Sequence, residues 1–326
     1  MALVEGRRFA KDPLRGCIKA QVDEYIETHL DESPSVSGLV SKQVSARMLR
    51  SARNKIKTVS IDRGQLFAGL YIIACANGLT ARIVKSIHSH GWLDAAIGNF
   101  DVSIIVWVAC FVGVSLVLTD CTGKVQKADL VLSAALLLLI ALPIGAASWL
   151  AVTILSLYIL ILGRPADSLR RGAIVLLAVT MPMFWSRLIF NLFAKYILEI
   201  DAIFVRWVLG TERIGNLVEF ADHSGSLAIF PSCSSLANVS LALLCWVTVS
   251  QFARHKWRSQ DILWCLLACL SAFAANVLRM SLMGVNGSFY LMLHSPAVEV
   301  LVSIVMLGLI VSISLAGIRH DSVIRP

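Results

Sequence analysis

The sequence predicts an all-α fold, a polytopic membrane bundle of about eight transmembrane helices, from three observations. Its 326 residues are 57% hydrophobic and only 15% charged, with mean hydropathy +0.75, outside the range of a soluble domain. Long apolar runs recur from Gln65 onward, each testable against the roughly 20 residues that cross about 30 Å of hydrocarbon. Basic residues gather between alternate runs rather than evenly along the chain.

Taken in order, the runs give spans at 65–84, 103–119, 130–143, 146–162, 172–194, 233–252, 262–283 and 297–317. The third and fourth form one apolar stretch, 130–162, too long for a single span. Pro143 and Gly145 interrupt it, so it reads as a tight helical hairpin. The first sixty residues are polar and lack the apolar segment of a cleavable signal peptide, so the first span is expected to insert itself. Three segments result: a basic cytoplasmic tail (1–62), a transmembrane domain (63–318) and a short cytoplasmic C-terminal tail (319–326).

Placing the N-terminus inside puts 22 of the 29 basic residues in cytoplasmic segments. The other seven, Arg82, Lys85, Arg187, Lys195, Arg206, Arg213 and Arg279, fall in outer loops or spans, as the positive-inside rule expects. The net charge of +8 therefore reports orientation rather than nucleic-acid binding. The tail faintly resembles the start of an AraC-type helix-turn-helix domain, in Val22 to Asp31, Ser33 to Leu39 and Ser45 to Lys57. It covers only part of the two units such a domain carries, and a basic segment resting on anionic lipid is the preferred reading. Membrane lipid is thus an expected partner and nucleic acid is not.

With this orientation, 195–232 is the largest outer element, expected as short helices and turns packed over the bundle. Three residues beyond it share one membrane depth. Cys233, in Phe230-Pro-Ser-Cys-Ser-Ser-Leu236, opens the sixth span, with Ser232 available as N-cap. A thiol in a first helical turn sits by the positive end of the helix dipole, which favours thiolate. Arg279 lies near the outer end of the seventh span, with Asn276 on the same face one turn before it. An arginine in an apolar span costs at least a few kcal/mol and marks an interior or wet cavity, although snorkelling to the headgroups is the bland alternative. His294 sits just before the eighth span, where a lone histidine is commonly an interfacial anchor. Together the three supply a nucleophile, a charge stabiliser and a base at the ends of successive spans. The remaining seven cysteines form no CxxC or zinc-finger spacing and read as core residues; no metal and no organic cofactor is signalled.

Cys233-Ser-Ser-Leu236, Asn276-Val-Leu-Arg279 and His294, with Leu209 to Leu217 and Gly225-Ser-Leu227 leading to the cysteine, resemble the exosortase/archaeosortase family over residues 60–317. Ser235 stands where many members have glycine. The resemblance implies a cysteine protease or transpeptidase of the cell inner membrane, multi-pass, with both termini cytoplasmic and the active site extracytoplasmic. Its partners would be exported proteins with a C-terminal tripartite sorting signal of PEP-CTERM type. Cys233 would be the nucleophile, Arg279 the oxyanion stabiliser, His294 the acid/base and Asn276 a supporting residue, with no cofactor. A quinone-linked thiol oxidoreductase would need paired outer cysteines, but Cys245 lies about 18 Å deeper than Cys233 at 1.5 Å per residue. The main alternative is a transporter or channel with Arg279, Arg187 and Asn191 in a polar pathway; it calls for further mid-membrane charges and an internal repeat. A serine protease using Ser234 or Ser235 is a minor one.

Overall fold

The computed structural model describes residues 62–120, 123–162, 165–255 and 258–323, with the side chains of a few residues inside these ranges left out. The N-terminal tail and its helix-turn-helix-like fragment lie outside the described residues. Among the described residues the fold is all-α apart from one small sheet. The main helices are α1 (Arg63–His90), α3 (Ile104–Leu118), α4 (Lys127–Ile140), α5 (Gly145–Leu162), α6 (Asp167–Thr180), α7 (Ser186–Leu209), α8 (Ser235–Phe252), α9 (Ser259–Met283) and α11 (Pro296–Val323). Two short helices, α2 (Trp92–Ile97) and α10 (Gly287–Leu293), lie between them.

Each of the eight expected spans falls on a helix, or on the α6–α7 pair. Among the described residues, six helical segments are long and apolar enough to cross a membrane, and α3 is a shorter apolar helix, an architecture compatible with a multi-pass membrane protein. The break expected at Pro143 and Gly145 is present: α4 ends at Ile140 and α5 begins at Gly145. The tip of this hairpin meets α1 at mid-length, where the Asn77 side-chain amide donates to the Ile140 carbonyl at 2.7 Å and to Ser148 Oγ at 2.9 Å. α11 runs to Val323, past the 318 boundary.

The helices alternate in direction, which gathers polar pairs at one end. There Arg63 meets the buried Asp129 at 2.9 Å, Arg171 donates to the Gln251 carbonyl at 2.8 Å, and His255 meets Asp261 at 2.9 Å. α3 and α6 approach closely because both offer glycine: a Cβ on Gly172 would meet the Gly113 carbonyl oxygen at 2.8 Å, and one on Gly113 would meet Leu176 at 2.7 Å. The core between them holds Phe67, Tyr71, Ala109, Leu155 and Leu176.

The other end departs from expectation. In place of short helices and turns over 195–232, the fifth span continues as helix from Asp167 to Leu209, 43 residues, about 65 Å at 1.5 Å per residue and roughly twice the hydrocarbon thickness. Pro182 has no N–H to give the preceding turn, and the helix widens to a π turn over Met181–Trp185, where the Ser186 N–H donates to the Met181 carbonyl. A second irregularity, Phe193 at φ −124° and ψ 20°, separates the distal part of α7. Three antiparallel strands follow, β1 (Arg213–Ile214), β2 (Leu217–Glu219) and β3 (Ser226–Ala228), in the order β1-β2-β3. Val218 pairs with Leu227. Gly215, at φ +63°, takes the positive-φ place in the two-residue β1–β2 turn. Val218 and Ile229 bury against Ala202 and Val205 of α7 and Val277 and Met280 of α9, and the Ala221 N–H donates to the Gly284 carbonyl at 2.9 Å. The sheet is therefore tied to the end of α9 rather than hanging as a loop.

Candidate functional site

The chain leaves β3, buries Ile229 and turns through one 3-10 turn, Pro231–Cys233, before entering α8. Pro231 sets the turn at its first position, and the Cys233 N–H donates to the Phe230 carbonyl at 2.9 Å. Ser234 is the N-cap of α8, its hydroxyl accepting from the Leu236 N–H at 3.3 Å. This corrects the expectation that Ser232 caps the helix and Cys233 occupies its first turn. The thiol precedes the helix by one residue beyond the cap, because Ser234 at ψ 136° is still extended.

Two buried polar side chains, from two different helices, hold this segment. From α9, the Asn276 amide donates to the Cys233 carbonyl at 2.8 Å and to Ser235 Oγ at 3.0 Å. Its own oxygen accepts from Asn238 at 2.9 Å. From α7, Asp201 Oδ2 accepts from the Ser235 N–H at 3.1 Å. Asn276 is 3% exposed and Asp201 2%. A carboxylate at an open helix N-terminus satisfies an orphan donor and faces the positive end of the dipole. Asn276 was legible as a supporting residue. Asp201 and Asn238 were not, and the available signal for the first was a single acid within the apolar run Ile200 to Val205.

Cys233 itself is half-buried beside Val277 and Met280. It lines a small cavity that His294 also lines, closed by Leu227 to Phe230 of the hairpin and by Met280 and Met283 of α9. The structure thus brings together the thiol and the imidazole. His294 caps the C-terminus of α10, and its Nδ1 lies 3.1 Å from the Tyr290 carbonyl. A carbonyl only accepts, so Nδ1 carries the proton of the neutral ring and Nε2 holds the lone pair. The ring also lies against that of Tyr290, centroids 4.3 Å apart. The imidazole is therefore oriented by a partner that fixes its tautomer.

Arg279 has a different address. It lies one turn beyond Asn276 on α9 and lines a neighbouring cavity of about 700 Å³ between α8, α9, α11 and the segment before α3. Asn276 borders that cavity as well, and so is the link between the thiol segment and the arginine. The expected set of three thus resolves into a cysteine–histidine pair on one cavity and an arginine on the next, with α9 contributing to both. Neither protein-family models, curated proteins nor solved structures yield a match to this chain.

Proposed function

We propose that this chain is a membrane-embedded cysteine peptidase or transpeptidase of the exosortase type, acting on exported proteins that carry a C-terminal sorting signal. The observation that carries the reading is that Cys233 and His294 line one cavity while Asn276 fixes the Cys233 main chain from the helix bearing Arg279. The concentration of basic residues at the Arg63 end supports a plasma-membrane orientation with that end cytoplasmic and the Cys233 end extracytoplasmic.

In the proposed reaction, His294 Nε2 takes the Cys233 thiol proton and the thiolate attacks the scissile carbonyl carbon. Arg279 would stabilise the resulting oxyanion once its side chain turns from the neighbouring cavity toward Cys233, a rearrangement that accompanies opening of the thiol cavity. Collapse breaks the C–N bond, the leaving amine takes the proton from His294, and a thioester remains on Cys233. An incoming amine or water attacks the thioester and gives its proton to His294, and collapse breaks the C–S bond and expels the Cys233 thiolate, which takes that proton back, completing transpeptidation or hydrolysis. The shared cavity measures about 10 Å³, room for about one water, so the hairpin or α10 has to move aside for a peptide.

The test is gel-shift processing of a tail-signalled substrate in cells expressing wild type, Cys233→Ala, Cys233→Ser, Arg279→Ala or His294→Ala at matched levels. Loss of processing in every variant is expected. Normal processing by Cys233→Ala would remove the thioester route and bring forward a transport role for the Arg279 cavity.

A further inference from the structure

The cavity beside Arg279 is graded in polarity along the bundle axis. Asn99, Asp101 and Ser103 line its rim at the Cys233 end, Arg279 and Asn238 stand about one turn inside, and Leu307 and Ile310 line its depth. α11 borders it from Val300 to Ile310, about 15 Å at 1.5 Å per residue, or half the hydrocarbon thickness. α8 packs on both α3 and α11 and forms the floor between them. Val300 and Ile304, on the α11 wall, are 60% and 59% exposed, so the cavity opens sideways toward the surface that faces lipid. At the rim, Asn99, Phe100 and Asp101 all hold positive φ, at 52°, 56° and 55°, a strained left-handed turn of the kind kept at binding sites.

With the Asp101 carboxylate at the rim, the Arg279 guanidinium about one turn inside and an apolar wall one leaflet deep, the pocket is complementary to a phospholipid, whose phosphate lies inward of the polar hydrogens at the outer end of its headgroup. We propose that it binds a single phospholipid of the leaflet at the Cys233 end, with the phosphate on Arg279 and one acyl chain along Ile304, Leu307 and Ile310. Guanidinium matches phosphate in charge and geometry, and basic pockets between membrane helices are where lipid headgroups dock. The polar end favours a lipid over a substrate's transmembrane helix, since an apolar span offers no anionic group to Arg279 whereas a phosphate does.

This inference goes beyond the proposed cleavage and does not rest on it. Both readings use Arg279, so the decisive variant is Ile304→Trp, which fills the apolar wall and leaves the proposed chemistry untouched. The experiment is native mass spectrometry of the full chain released from detergent, titrated with dioleoyl phosphatidylglycerol, with diacylglycerol of the same chains, or with inorganic phosphate. One phosphatidylglycerol per chain is expected, bound at least about tenfold more tightly than diacylglycerol, since a charge-assisted phosphate contact is lost with the headgroup. Inorganic phosphate is expected not to compete, for want of the apolar wall. Ile304→Trp and Arg279→Gln should each weaken the adduct by about tenfold or more. Cys233→Ala should bind as wild type, so lipid binding is read where cleavage is abolished. Equal binding of diacylglycerol to the wild-type chain overturns the proposal without any variant having to fold. So does wild-type uptake by a monodisperse Ile304→Trp, which would mean lipid adhering to the outer surface, or displacement of the lipid by a peptide carrying a substrate's transmembrane helix, which would assign the cavity to that helix.

Discussion

The side-chain amide of Asn276 donates to the main-chain carbonyl of Cys233 across 2.8 Å, 43 residues away in sequence. The same nitrogen reaches Ser235 Oγ, so one amide spans the 3-10 turn and the first residue of α8. Replacing it by alanine leaves a carbonyl and the Asn238 donor without this partner. Asn276→Ala is expected to cost about 1–3 kcal/mol of stability, the usual penalty for stranding a buried polar group. Thermal unfolding in detergent reads this loss. If the amide also positions the proposed nucleophile, processing of the tail-signalled test substrate falls further than the fraction folded does.

Asp201 holds the same segment from α7, through the Ser235 N–H at 3.1 Å. What the helix needs there is an acceptor of the right shape. Asp201→Asn keeps one oxygen in place and is expected to stay within about 1 kcal/mol of wild type, whereas Asp201→Ala strands a buried N–H and costs about 1–3 kcal/mol. Equal stability of the two variants would show that this contact does not hold α8.

How much of this was legible follows from what each element depends on. The spans, the break at Pro143 and Gly145, and the grouping of Cys233, Asn276 and His294 at one end follow from local hydropathy, a missing N–H and helix spacing, all written in adjacent residues. The continuation of α7 to Leu209 and the three strands were not legible, because short strands of two or three residues give no period and are fixed by burial against α7 and α9. The N-cap fell to Ser234 rather than Ser232 because Pro231 starts a separate turn, and three serines in five residues each suit a cap. The division of the site between two cavities depends on which face of α9 each side chain takes, and Arg279 and Met280, adjacent in sequence, point to different ones.

At the far end, Arg63 and Asp129 form an ion pair at 2.9 Å with side chains 11% and 0% exposed. The Tyr158 hydroxyl donates to the same carboxylate oxygen at 2.8 Å, and the Gln126 N–H to the other at 2.9 Å. Removing one partner leaves a buried charge. Asp129→Ala is expected to cost about 3–5 kcal/mol, and replacing both Arg63 and Asp129 by leucine to cost less than the two single leucine changes added together. A double-mutant cycle by thermal unfolding measures the coupling, and additive effects would mean that α1 and α4 are held by packing alone.

The hairpin over the site carries a titratable pair of its own. His223 Nδ1 lies 2.9 Å from Glu219 Oε1, and the Glu219 carboxylate holds the imidazolium above its ordinary value of 6.5. Because the folded value is raised, the pair's contribution is fully present below the unfolded histidine's pKa and is lost as pH rises through the folded one. His223 is well exposed and Glu219 partly so, so the effect is a small local one, felt in β2 and β3, which supply Val218 and Leu227. Amide hydrogen exchange at these two residues, corrected for the intrinsic pH dependence, should show protection falling between about pH 6 and pH 8, across the histidine range. Glu219→Gln should remove that fall while leaving the strands paired. An unchanged pH profile in Glu219→Gln would exclude the pair as its source. Since Leu227 and Ala228 close the cavity that Cys233 and His294 line, the same loosening is expected to widen access to the thiol, read as faster alkylation of Cys233 at the upper end of that pH range than thiol ionisation alone gives.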